Sequence, residues 1–182
     1  MAWPNPQNLN SRQFACGFCG NLVATTAGYH NSNFGGRWIY ICPHCLEPTY
    51  FTKERQVPGV APGQEVSHLP AEVNALYKEA RYCVAASCYT AAVLVARKLL
   101  MHIGVAQGAQ PNQSFLAYVD HLANAGYVPP NGKHWVDHIR KKGNEATHEI
   151  VLMSQSDAEE LLSFLSMLLI FIYEFPNRVP KP

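Results

Sequence analysis

The sequence is short of charge and of long apolar runs, and each shortage narrows its reading. Charged residues make up 15% of the chain and the formal net charge is +1. Such a balance gives no general attraction for polyanions, and it falls to about −1 if four thiolates hold a zinc ion. No stretch is long and pure enough to read as a bilayer span. The run Leu161 to Phe175 comes nearest, but Ser163 and Ser166 interrupt it and it is too short. Residues 1–13 lack the basic and apolar regions of a secretory signal, so the expectation is a cytoplasmic protein without membrane association. Without an export signal, the six cysteines do not read as a disulfide framework.

Four of those cysteines are spaced as metal ligands. Cys16 and Cys19 form one Cys-x-x-Cys pair, and Cys42 and Cys45 form a second. Two such pairs match a four-thiolate zinc site, in which each pair sits on a tight turn with amides aimed at the sulfurs. Gly20 and Pro43 suit those turns. His44 lies inside a knuckle, but four sulfurs already complete a tetrahedron and leave no open position for catalysis. Segments 21–26, 37–41 and 49–52 read as short strands, and residues 1–13 read as loose chain. The aromatics Tyr29, Phe34, Trp38, Tyr40, Tyr50 and Phe51 have two readings, a small core with a seam, or a surface on which bases stack.

The expected organisation is a zinc ribbon at 1–55, a Pro/Gly linker at 56–69, and a helical bundle at 70–182. The fold class is thus mainly α, with a small N-terminal β zinc ribbon before four to five helices. Helical periodicity runs over 71–86 and 89–103, with Gly104 and Gly108 as stop signals. A third helix starts after the cap residue Ser114, a fourth carries residues 133–150, and a fifth spans 157–175. Cys83 and Cys88 have no ligand-spaced partner and read as buried free thiols. Arg97 lies in the most apolar helix. It reads either as a snorkelling side chain or as a buried charge meeting Asp137, Glu145 or Glu149.

Residues 133–150 concentrate the groups able to do chemistry, including His134, His138, Arg140, Lys141, Lys142, Asn144 and His148. On a helix Arg140, Asn144 and His148 recur every four residues and share a face. A guanidinium, an amide and an imidazole in line can hold a phosphodiester and move its protons. The plainer reading has His148 as a cap or a satisfied polar group, and Gly143–Asn144 as a helix break.

Three segments, L-P-A-E-V at 69–73, Y-T-A-A-V-L-V-A-R-K-L-L at 89–100 and H-I-R-K-K-G-N-E-A-T-H at 138–148, resemble the HEPN superfamily. More narrowly the chain is similar to an uncharacterised, domain-of-unknown-function branch of that superfamily that often follows a zinc ribbon. The resemblance implies a helical bundle that is commonly a metal-independent endoribonuclease of toxin–antitoxin or antiphage type. It carries Asn144 to the polar position of the motif and His148 to the catalytic histidine. Gly143 stands where an arginine is expected, and the nearest arginine is Arg140. The implied chemistry is attack of a ribose 2′-hydroxyl on its own phosphate, with Arg140, Lys141, Lys142 and Arg97 on the substrate side. The alternative it implies is a non-catalytic module binding RNA, nucleotide or protein. Implied partners are RNA or nucleotide, an antitoxin or operon partner protein, and a second copy of the chain in a homodimer.

Overall fold

The computed structural model describes residues 3–33, 35–128, 136–139 and 152–178. A small N-terminal antiparallel sheet is followed by helices. The chain divides into two compact units, Met1–Ala61 with Ala85–Ser87, and Pro62–Val84 with Cys88–Pro182.

The first unit is a five-stranded antiparallel meander in the order β1 (Gln7–Ala15), β2 (Leu22–His30), β3 (Trp38–Ile41), β4 (Pro48–Phe51) and β5 (Gln56–Val57). Residues 7–13, expected to be loose, belong to β1. Their sequence is polar, so no alternation announces a strand. The backbone of β2 supplies the order, pairing Gln7 with Gly28 and Phe14 with Val23 across a register shift between Asn8 and Arg12. Tyr29 adds a hydrogen bond from its hydroxyl to the Pro4 carbonyl at 2.6 Å. Phe14, Tyr40 and Phe51 form the small core with Cys16 and Cys42, their rings meeting edge-to-face or tilted. For Tyr40 and Phe51 the small-core reading is therefore the observed one. Gly28 admits no side chain, because a Cβ there would lie 2.2 Å from the Ile39 carbonyl oxygen.

The second unit has one apolar core, built on α1 (Ala71–Ala85), α2 (Tyr89–Ala106), α3 (Phe115–Asn124) and α4 (Gln155–Leu169). On α1 the buried positions are Val73, Tyr77, Ala80 and Val84, a single face at helical spacing. Helix α2 buries Ala92, Val93, Ala96, Leu99, Leu100 and Ile103 and packs against α3 and α4. It continues through Gly104, where a stop was expected. That glycine makes room for a neighbour, since a Cβ would lie 2.8 Å from Tyr118 Cδ1. By length and composition α2 is the one helix among the described residues able to cross a membrane, although 44% of it is buried inside the protein.

Ser114 caps α3 by accepting from the Ala117 N–H. Ser154 and Asp157 form a reciprocal capping box on α4. Past α4 the helix widens into a π-helical turn, Ile170–Glu174, and ends in α5 (Phe175–Arg178). The apolar circumference of α4 is largely covered from within the chain, with Leu161, Leu162, Phe164, Leu165, Leu168 and Leu169 all buried. Exposure begins at Phe171 and Phe175. Within the 56–69 stretch, β5 pairs with β4, while the Pro62 carbonyl accepts from Arg81 Nε at 2.7 Å and the Gln64 carbonyl from the Tyr77 hydroxyl at 3.1 Å.

Candidate metal centre and cationic segment

The two Cys-x-x-Cys turns are built alike. The Cys16 carbonyl accepts from the Gly20 N–H at 2.8 Å, and the Cys42 carbonyl accepts from the Leu46 N–H at 2.9 Å. Each turn then closes when its first cysteine donates its N–H, Cys16 to Asn21 O at 2.9 Å and Cys42 to Glu47 O at 3.0 Å. This repetition brings four sulfurs together, all within 4.8 Å of one another. Cys16 and Cys45 Sγ are 3.7 Å apart, and Cys19 and Cys42 Sγ are 3.8 Å apart. A tetrahedral zinc with bonds near 2.3 Å requires edges of roughly 3.8 Å, whereas a disulfide requires about 2.05 Å. The cluster has the dimensions to hold a metal ion, and all six cysteines are free thiols.

Its protons are unequally held. Burial pushes Cys16 up, and pushes Cys45 up to about 12. Burial acts in the same direction on Cys19, but hydrogen bonds from the Asn21 side chain and backbone outweigh it and bring that thiol down to about 6. A cation in the cluster would replace the shared protons. His44 stays outside the ligand set and meets Asn21 Nδ2 through Nδ1 at 3.2 Å.

In the helical unit Arg97 is buried, 8% exposed. Its guanidinium lies 4.3 Å from the centroid of the Phe115 ring, and among the described residues its Nη1 has no hydrogen-bond partner. Burial lowers its pKa, yet a guanidinium stays protonated in proteins. Of the carboxylates expected to meet it, Asp137 is exposed on the helical stretch 136–139, and Glu145 and Glu149 lie outside the described residues. On that same stretch His138 pairs through Nε2 with Glu160 of α4. The Glu160 carboxyl is held below its ordinary range, first by His138 and then by Ser156, whose hydroxyl donates at 2.9 Å.

Arg140, Lys141, Lys142, Asn144 and His148 also lie outside the described residues. Over residues 78–181 the chain matches the family described as Domain of unknown function (DUF4145). The chain belongs to that family. No curated protein and no solved structure matches it.

The DUF4145 region opens at Lys78 inside α1, takes in α2 to α5, and leaves the cysteine cluster outside. The cluster was legible from spacing. Glu160 was not, because its pairing with His138 joins positions far apart in the chain and follows no local pattern. Of the two thiols expected to be buried, Cys83 is half-buried on α1 and Cys88 is exposed at the turn immediately before α2. Arg12 and His30 also escaped sequence reading. They line a cavity on the small sheet with Trp38 and Tyr40.

Proposed function

We propose that this protein is a HEPN-like endoribonuclease whose N-terminal sheet is a zinc ribbon. Zinc would be held by Cys16, Cys19, Cys42 and Cys45, and with four sulfurs around it would stabilise the fold and take no part in the reaction. His148 accepts the proton of a ribose 2′-hydroxyl as that oxygen attacks the adjacent phosphorus. The bond to the 5′-oxygen breaks and that oxygen takes a proton, leaving a 2′,3′-cyclic phosphate and a 5′-hydroxyl. Arg140, with Lys141 and Lys142, stabilises charge on the phosphorane oxygens, and Asn144 orients the imidazole or the phosphate. In this reading Arg97 is a further cation for substrate, a role that the family resemblance alone implies.

The observation that carries the reading is the run H-I-R-K-K-G-N-E-A-T-H at 138–148, which falls inside the matched family region. The His138–Glu160 pair supports the choice of His148, because it occupies the other histidine of that run. Exposed Phe171 and Phe175, with ring centroids 6.2 Å apart, suit a homodimer contact. The glycine at 143 in place of an arginine favours a second reading, a module that binds RNA without cutting it.

Expression in cells separates the two. A nuclease slows growth and loses that effect on His148→Ala. A binding module leaves growth unchanged, and its RNA affinity falls with a shallower salt dependence when Lys141 and Lys142 are neutralised.

A further inference from the structure

A cavity of about 460 Å³ opens on the N-terminal sheet, within the size range of small-ligand sites. Three strands build it. From β1 come Leu9, Asn10, Ser11 and Arg12, at the register shift that re-aims this strand. His30 ends β2 and pairs in register with Trp38 of β3, and Tyr40 follows two residues later on the same face. The His30 and Trp38 rings stack, with centroids 5.6 Å apart and planes inclined by 18°. The Tyr40 hydroxyl donates to the Asn10 carbonyl at 3.0 Å, which fixes the bulged segment against β3.

The chemistry of the lining is one-sided. Among the described residues it holds a guanidinium, an imidazole, an indole and a phenol, and no carboxylate. A cationic ligand would meet Arg12 with nothing to balance it. Arg12 Cζ lies 4.0 Å from the centroid of the Phe51 ring, a contact that orders the guanidinium, whose N–H groups can donate to an anion. The His30–Trp38 pair offers a planar face beside that donor. Asn10 and Ser11 are exposed and bring an amide and a hydroxyl to the rim.

We propose that this cavity binds a nucleotide unit, with the base stacked on His30 and Trp38 and the phosphate held by Arg12. The unit is supplied by a single strand or by a free mononucleotide. The site stands apart from the ribonuclease reading, since it belongs to the other unit and needs no cleavage.

The test uses the zinc-loaded full chain and two probes, a short fluorescein-labelled oligothymidylate and AMP. Oligothymidylate lacks the 2′-hydroxyl, so binding is read without cutting. Anisotropy gives the affinity, and NMR follows the Trp38 indole N–H and the His30 ring. The expected result is that the strand binds and shifts both signals. Arg12→Gln and His30→Ala should each weaken it roughly tenfold, with zinc content and circular dichroism unchanged. AMP shifting the same signals assigns the cavity to free nucleotide as well, and a response to the strand alone assigns it to single strands. The proposal is overturned if neither probe moves those signals, if both variants bind like the parent, or if duplex DNA binds as tightly as the single strand.

Discussion

Gly20 and Leu46 occupy the same place in the two Cys-x-x-Cys turns, each donating its N–H to the carbonyl of the first cysteine with a left-handed backbone, φ +72° and +63°. Glycine adopts that region freely, whereas a leucine there is strained by about 1–2 kcal/mol. Half of the Leu46 surface is exposed, so its side chain recovers little of this by burial. Leu46→Gly should raise the stability of the first unit by about 1 kcal/mol. Gly20→Ala should lower it by a similar amount through the backbone alone, since nothing lies within 4 Å of the added Cβ. Thermal denaturation of the zinc-loaded proteins checks both signs.

Metal content follows from the sulfur geometry. Elemental analysis should return one zinc per chain, and Cys42→Ser should lose it. The first unit has a core of only a few side chains, so its sheet should unfold with the metal. The helical unit has its own core, and its circular dichroism at 222 nm should persist under chelation. A chain that keeps its near-ultraviolet signal without metal would contradict this.

Much of this architecture is legible in the sequence for physical reasons. Thiolate ligands must sit three residues apart on a turn, so the cysteines declare themselves. Val73, Tyr77, Ala80 and Val84 mark α1 because a helix must bury one face, and Ser114 marks the start of α3 because orphan N–H groups need an acceptor. What the sequence hid is tertiary. Strand β1 is polar and owes its order to β2, while Gly104 is set by the approach of Tyr118 and not by a turn. The Arg12, His30 and Trp38 cavity depends on strand register, which no local pattern states.

Arg97 gives a prediction of unusual sign. A buried cation whose Nη1 has no partner among the described residues adds little stability, so Arg97→Met should be neutral or up to about 1 kcal/mol stabilising. Arg97→Ala should cost about 2 kcal/mol through lost packing of its stem. Urea midpoints compare the two, and a large loss on Arg97→Met would mean that the cation is paired in the native protein.

Glu174 ties the loop before α1 to the end of the helical unit. Its Oε2 accepts from the Ser67 N–H at 2.9 Å, and its other oxygen pairs with Arg178. These contacts, Ser67 first, hold its pKa below the ordinary 4.5. A depressed carboxylate stabilises the fold fully above the unfolded value and loses that contribution as pH falls through the folded one. Glu174→Gln should therefore be less stable than the parent at neutral pH, with the gap closing below about pH 4.5. Denaturation midpoints against pH read this directly, and a gap that widens on acidification would reverse the assignment.

The activity proposed for this protein is cleavage of RNA by His148 without a catalytic metal. The most direct measurement is incubation of the purified chain with end-labelled single-stranded RNA in excess chelator, scoring the new ends. Fragments bearing 2′,3′-cyclic phosphate and 5′-hydroxyl ends are expected, with their yield falling about a hundredfold or more on His148→Ala. Intact RNA, or cleavage that His148→Ala leaves unchanged, would contradict it.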